Sequence, residues 1–297
     1  MLSQAFQTAV EQHLQHHLGN SITIQSSTSV SGGDINEALC LILSDGKKVF
    51  LKYNHTPLPK LFEYEVDGLQ LIASTKALRT PKVLAYDEGS SEHPSFLLME
   101  WIEVDRTVSS STMREFGQQL AKLHQQTNSF YGLEADNYIG SLPQFNQPQN
   151  AWVDFYRDQR LGIQLELLKK KGRLNVERER LLNQLMENLD QFIDEQAVQP
   201  SLLHGDLWSG NYMMSNGKAV LIDPAVYFGH REVEIAFTEL FGGFSNAFYE
   251  GYNEVWMLPR SYEARKSLYQ LYLLLVHLNL FGETYGSSVD RVLRQYV

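Results

Sequence analysis

Three polar side chains in one short stretch stand out by type and by order. Leu202-Leu203 leads into His204-Gly205-Asp206, an amide follows five positions later at Asn211, and a second carboxylate arrives at Asp223. Between the last two lie Tyr212-Met213-Met214, a Ser215-Asn216-Gly217-Lys218 turn and Ala219-Val220-Leu221-Ile222. An Asn-Gly dipeptide flanked by apolar runs predicts a two-residue hairpin, and that hairpin folds Asn211 and Asp223, at its two ends, toward each other. Two oxygen donors so placed are what a hard cation such as Mg²⁺ takes when phosphates and water fill its other positions. Asp206, just upstream in the loop, is placed to accept the proton of an attacking hydroxyl. A base, an amide five residues on and a carboxylate after a short hairpin form the template of phosphoryl transfer. Each residue alone is an ordinary loop residue; the ordered set carries the reading.

A nucleotide needs a second group of residues. Lys52 ends the alternating strand 47–53, where an unpaired ammonium in a sheet interior is costly. Thirteen residues on, Glu65 shares a helix face with Leu61, Leu69 and Ile72, a poor place for a solvated carboxylate. A buried Lys52–Glu65 ion pair satisfies both and aims the ammonium at ATP phosphates; two surface charges on amphipathic elements is the plainer alternative. Ser31-Gly32-Gly33-Asp34 precedes the lysine, and its small residues let backbone approach phosphate, although the full Gly-x-Gly-x-x-Gly pattern is absent. Met99, Glu100 and Trp101 close the last strand of this region and are either the edge that meets adenine or a simple connector.

The elements that must hold these groups follow from periodicity. Residues 3–18 read as an amphipathic helix with Phe6, Val10, Leu14 and Leu18 every four positions. Its His13, His16 and His17 read as solvated helix surface, since no third ligand joins the His13/His17 pair. Strands are expected at 38–43 and 47–53, joined by Ser44-Asp45-Gly46, then at 81–87 and 95–102, with a helix over 58–75. After Val104 helices dominate, at 111–126, 151–172, 176–195, 231–252 and 261–281, with one strand-rich insertion at 201–223; residues 132–150 read as a surface loop. The expected class is α+β: a two-lobed fold with an antiparallel sheet and one helix in residues 1–103, and a mostly helical lobe in 104–297.

Bulk properties bound the function. A net charge of −10 offers no positive field for nucleic acid. No apolar run approaches the length of a membrane span, and the first ten residues lack the pattern of a signal peptide. One cysteine, Cys40, excludes an internal disulfide or a cysteine-based zinc cluster and fits a reducing cytoplasm. A monomer with a small-molecule or glycated-protein substrate, and no nucleic-acid or membrane partner, is the expectation.

The residues together resemble the fructosamine kinase (ketosamine 3-kinase) family, whose members share the aminoglycoside-phosphotransferase and protein-kinase-like fold. The resemblance rests on the run from His204 to Asn211, Ile222-Asp223-Pro224, Gly229-His230-Arg231-Glu232 and Leu240-Phe241-Gly242-Gly243-Phe244. Ser31-Gly32-Gly33, Phe62 to Glu65, Trp152 to Tyr156 and His277-Leu278-Asn279 fit the same pattern. It implies ATP- and Mg²⁺-dependent phosphorylation of the sugar 3-hydroxyl of ketosamines, whose 3-phosphates later release the amine: deglycation. By matching position, Asp206 is then the base, Asn211 and Asp223 the Mg²⁺ ligands, Lys52 the phosphate anchor, Glu65 its partner, and Met99 to Trp101 the adenine edge. Some relatives carry a cysteine where Asp34 stands, so thiol control at that place is not expected here. An antibiotic, choline or other small-alcohol phosphotransferase is the alternative.

Further positions are candidates for the substrate. Trp208 either lines the sugar site or anchors the loop, and Asp34, His277 and Asn279 are substrate candidates, the last two with a structural role as the alternative. His204 is expected to brace the loop by hydrogen bonds. Glu234 either braces the same loop or lies on a helix surface.

Overall fold

The computed structural model describes residues 2–19, 21–30, 36–56 and 58–297; the expected phosphate loop with Gly32, Gly33 and Asp34 lies outside the described residues. Helix α1 (Gln4–Leu18) buries Phe6, Val10 and Leu14 along one stripe, and Ser3 caps it by accepting the Phe6 amide at 3.3 Å. Strands β1 (Ile24–Ser29), β2 (Glu37–Leu43) and β3 (Lys48–Asn54), helix α2 (Leu61–Ser74), and strands β4 (Val83–Asp87) and β5 (Ser95–Glu100) follow. They form one antiparallel sheet in the order β1-β2-β3-β5-β4. The period of two sorts the side chains of β3. Val49, Leu51 and Tyr53 pack with the α1 stripe, while Phe50 joins Phe62, Val66 and Leu69 of α2. Lys52, paired in register with Ala38 and Leu97, therefore faces α2.

The remaining chain is mostly helical. Helix α3 (Ser110–His124) is capped by Ser109, which accepts the Thr112 amide at 3.1 Å. The segment expected to be a surface loop instead carries a hairpin, β6 (Asn137–Ile139) and β7 (Leu142–Gln144), with Asn137, Gln144 and Asn146 buried. Their amides satisfy one another: the Asn137 carbonyl oxygen accepts from Gln144 at 2.8 Å and Asn146 at 3.0 Å. A polar composition that reads as exposed is thus an internally bonded network. Next come α4 (Trp152–Phe155), a π-helical turn (Tyr156–Gly162), α5 (Ile163–Lys170) and α6 (Val176–Glu187). Arg160 of the π turn is fully buried, its guanidinium carbon 3.9 Å from the centre of the Tyr227 ring and its nitrogens on Phe145 O and Asn146 Oδ1 at 2.7 Å each.

Strands β8 (Ser201–Leu203), β9 (Tyr212–Ser215), β10 (Lys218–Leu221) and β11 (Tyr227–Gly229) then precede α7 (Arg231–Leu240), α8 (Asn246–Val255), α9 (Tyr262–Phe281) and α10 (Gly286–Tyr296). The single helix expected over 231–252 is two helices, because Gly242 and Gly243 take φ of 75° and 96°, outside any helix. Helix α10 was not anticipated. Around Trp152, Phe116, Phe237 and Leu271 these elements share one large apolar core.

Sheet and helical regions are stitched together by backbone and side-chain hydrogen bonds. The Asp105 carboxylate accepts the amides of Asn216 and Gly217 at 3.0 and 2.8 Å, and its own N–H donates to Met214 O at 2.8 Å. Leu221 N–H donates to Arg79 O at 2.9 Å, and the Tyr138 hydroxyl to Pro59 O at 3.1 Å. No helix among the described residues is long and apolar enough to cross a membrane.

Candidate active site

The loop carrying Asp206 leaves β8 and enters β9, while Asp223 sits between β10 and β11. Since β8 pairs with β11 and β9 with β10, both segments are anchored at each end by the same two small ladders. The turn joining β9 to β10 has Asn216 and Gly217 at φ of 51° and 69°, the geometry of the predicted two-residue hairpin. Ile222 N–H donates to Asn211 O at 3.1 Å and Ala225 N–H to His204 O at 2.8 Å, closing the hairpin's open end. Gly205 takes φ of 86°, and a Cβ there would lie 1.9 Å from Ala225 O, so only glycine fits the point where the two segments cross.

The side chains meet as follows. The Asn211 amide nitrogen donates to Asp206 O at 2.8 Å and to its Oδ2 at 3.0 Å. Lys52 Nζ reaches both oxygens of Glu65, at 2.9 and 2.8 Å, and Asp223 Oδ1 at 2.9 Å. The ion pair expected from the sequence is therefore formed, with both partners buried, and the ammonium also ties down the carboxylate of Asp223. Burial opposes the charge of Lys52, but Asp223 and Glu65 outweigh it and hold the ammonium above its ordinary value. Burial, and then the nearby Asp223 carboxylate, push Asp206 well above the usual carboxylate range, with the Asn211 amide pulling the other way. Asp223 adopts φ of 55°, a left-handed conformation that Asp tolerates better than most residues.

Beneath the loop lies a second layer that motif reading located only in part. Glu234, on α7, is buried and accepts three hydrogen bonds: from Gly205 N at 2.7 Å, His204 N at 3.1 Å and His124 Nε2 at 2.9 Å. It braces the loop and is not helix surface. Burial pushes its carboxyl up, and the His124 hydrogen bond with the Gly205 amide more than reverses this, leaving it below its ordinary value. His204 braces too. Its Nδ1 accepts from Asp206 N at 3.3 Å, so Nε2 carries the proton and donates to Ile222 O at 2.9 Å. Burial keeps this ring neutral by lowering its pKa.

Lys52, Glu65, Asp206, Asn211 and Asp223 open onto one cleft of about 670 Å³. Met99, Glu100 and Trp101 line it as well, with Val30, Ala38 and Phe50. The Glu100 carboxylate is committed to Arg79 and to Lys82 N, each at 2.9 Å, so what this edge can offer an adenine is backbone and apolar surface. Trp208 and His277 line the cleft. Asn279 is not brought there: it is fully buried, and its amide donates to Gln164 O and Oε1 at 3.0 and 2.9 Å, holding α9 against α5. Its substrate assignment is thereby corrected to a structural one, because two residues past His277, on a helix of about 3.6 residues per turn, the side chain points to the opposite face.

Several cleft residues escaped sequence reasoning. Asn137, Tyr138, Ile139 and Gly140, at the β6–β7 turn, line it, as do Phe241, Phe281 and Tyr285. The turn residue Gly140, at φ of 61°, was the one local signal for that hairpin. No local pattern marks the aromatic residues, which come from three separate elements.

Comparison with known proteins identifies the family. A family profile described as fructosamine kinase matches residues 6–297. A probable ketoamine kinase of Synechocystis is 39% identical over 289 residues, covering 96% of this chain and 95% of that one. A chloroplastic protein-ribulosamine 3-kinase of Oryza sativa subsp. japonica is 38% identical, covering 94% and 81%. Among solved structures, a fructosamine-3-kinase by its description, from Haemophilus somnus, superposes with a TM-score of 0.87 at 30% identity, over 99% and 98% of the two chains. A ternary complex of an aminoglycoside phosphotransferase with streptomycin and ATP, 15% identical with a TM-score of 0.65 over 99% and 97%, shares the protein-kinase-like fold. With the profile spanning nearly every residue and relatives this similar over most of their length, the chain belongs to the fructosamine kinase family.

Proposed function

We propose that the protein uses ATP to phosphorylate the sugar 3-hydroxyl of ketosamines, with Asp206 as the base that accepts the hydroxyl proton. The observation that carries this reading is the convergence of Lys52, Asp206, Asn211 and Asp223 on one cleft. In the step so assigned, the substrate oxygen bonds to the γ-phosphorus, the bond to the ADP oxygen breaks, and the proton passes to Asp206. Lys52, held by Glu65 and Asp223, orients the phosphates; Met99 to Trp101 hold the adenine edge. Residues 1–103 then cover the nucleotide from the sheet side, and 104–297 supply the catalytic loop and the sugar site. Val30 and Asn36 border the same cleft.

Mg²⁺ fits the donor set. Asn211 commits its amide nitrogen to Asp206, which leaves its carbonyl oxygen, and Asp223 gives one oxygen to Lys52 and keeps the other. Two hard oxygen donors suit a cation that draws its other ligands from phosphates and water; bound there, it would neutralise charge on the transferring phosphoryl group. Trp208, two residues from the base and on the cleft wall, is placed for the sugar. The name of the rice relative points to protein-bound ribulosamines among the substrates. A single cysteine, buried in β2, is in keeping with action in the cytoplasm.

Asp206→Ala tests the assignment. Turnover of a fructosamine or ribulosamine, followed as ADP release, should fall by a factor on the order of 10³ or more, with nucleotide affinity retained in a calorimetric titration. Turnover near that of the unsubstituted enzyme would remove the base and the mechanism with it.

A further inference from the structure

The catalytic cleft has two chemically different ends. Among the described residues its charged lining is confined to Lys52, Glu65, Glu100, Asp206 and Asp223, all at the nucleotide and phosphoryl-transfer end. The other end is aromatic. Phe241, in the α7–α8 connection, lies 4.8 Å from His277 and 6.3 Å from Tyr285, ring centre to ring centre, and His277 lies 5.0 Å from Tyr285 and 5.6 Å from Phe281. Phe241 and Phe281 remain 42% and 45% exposed, unusual for rings that could pack inward. His277 Nδ1 donates to Leu273 O at 2.7 Å, and burial outweighs that bond to hold the ring below its ordinary value.

This aromatic wall is joined to the catalytic loop. A Cβ on Gly243 would lie 2.3 Å from Ser209 Cβ, and the Tyr212 hydroxyl donates to Gly243 O at 3.1 Å, so the 241–244 segment abuts the loop three residues past Asp206. Trp208 adds another ring surface on the same cleft, packed against Gly210. In a ketosamine, four bonds separate the 3-oxygen from the nitrogen, roughly 5 Å. A substrate with that oxygen at Asp206 carries its nitrogen substituent about 5 Å from the base, and the 241–244 segment against the loop makes the wall the neighbouring surface of the same cleft. Rings also favour a single alkylammonium through cation–π attraction, while a polycation would require carboxylates that this end lacks.

We infer that Phe241, Phe281 and Tyr285, with the His277 ring among them, form a subsite for the substituent on the ketosamine nitrogen and select apolar alkyl or aryl groups there. The inference rests on the proposed ketosamine kinase activity. Its test is a series of ketosamines of one sugar made from methylamine, propylamine, butylamine and benzylamine. For the unsubstituted enzyme kcat/KM should climb about threefold for each added methylene and be highest for the benzyl compound. In the double variant Phe241→Ala, Phe281→Ala the benzyl-to-methyl ratio should shrink at least about tenfold. A flat series in the unsubstituted enzyme, or the same slope in the variant, overturns the subsite. Calorimetric titration of the unsubstituted protein with the same compounds reads the subsite without phosphoryl transfer. Affinity rising along the series with no transfer would uphold the subsite and refute the kinase reading; neither binding nor transfer would refute both.

Discussion

Glu234→Gln isolates the bracing of the catalytic loop. The carboxylate accepts Gly205 N through Oε1 and both His204 N and His124 Nε2 through Oε2. A glutamine keeps one acceptor oxygen, which the shorter Gly205 contact retains, and turns an NH₂ toward two N–H groups. His124 can adapt: its other nitrogen accepts from the Tyr252 hydroxyl at 2.8 Å, and a tautomer switch reverses both bonds. The backbone amide of His204 has no such escape and is left buried and unpaired. One orphaned buried donor plus the loss of a charge-assisted bond costs about 2–3 kcal/mol. At about 2.1 cal/mol/K of unfolding entropy per residue, that lowers the melting temperature of a chain this long by about 3–5 °C. Because the orphaned amide lies two residues from Asp206, the loop shifts, and a misplacement on the order of 1 Å lowers kcat by roughly tenfold to a hundredfold. KM for ATP should change less than about threefold, since Lys52 and the Met99 to Trp101 edge are untouched. Calorimetric melting and a coupled ADP-release assay read the two effects together. A variant with the original melting temperature and kcat would refute the claim that this carboxylate holds the loop.

Two further outcomes are expected. Gly205→Ala places a methyl group against Ala225 O at a φ of 86°, so it should cost at least about 3 kcal/mol and reduce kcat by displacing the loop; a thermal melt unchanged from the original would contradict the crossing geometry. Burial and the Arg231 guanidinium, joined for His230 by Arg265 and opposed for His124 by Glu234, hold His124 and His230 below their ordinary value of 6.5. The unfolded chain therefore takes up protons first. Their contribution is complete above 6.5 and is lost as pH falls through the depressed folded-state values, at up to about 3 kcal/mol per pH unit for the pair. Urea midpoints measured between about pH 7.5 and about pH 5 should fall accordingly, and a level profile would count against neutral burial of these rings.

The legible parts of the molecule were those written in local patterns. Phe6, Val10 and Leu14 announce α1 by spacing, Asn216-Gly217 announces its hairpin, and the lysine in an alternating strand needs the carboxylate found on α2. Asn211 and Asp223 followed from the hairpin between them. What stayed hidden depends on partners far along the chain. Asn137, Gln144 and Asn146 look like loop residues until each is seen to satisfy another's amide; Asn137 also donates to Val226 O at 2.8 Å and Gln144 to Ala225 O at 3.0 Å, just past Asp223. The three-residue strands β8 and β11 are too short for any periodicity. Asn279 and His277 share a helix and differ by two positions, yet only the helix's rotation decides which faces the cleft. The aromatic wall gathers rings from the α7–α8 connection, α9 and the turn before α10, which no sequence window spans.

The clamp at Asp105 has a mechanical consequence. The linker leaving β5 is fastened to the tip of the β9–β10 hairpin, and the opposite end of that hairpin bears Asn211 and Asp223. Four residues per strand make it a rigid strut about 13 Å long. The strut ties the linker to the two oxygen-bearing side chains, so a displacement at one end is carried to the other. Met99, Glu100 and Trp101, where that linker leaves β5, are thereby held at a set spacing from Asn211 and Asp223.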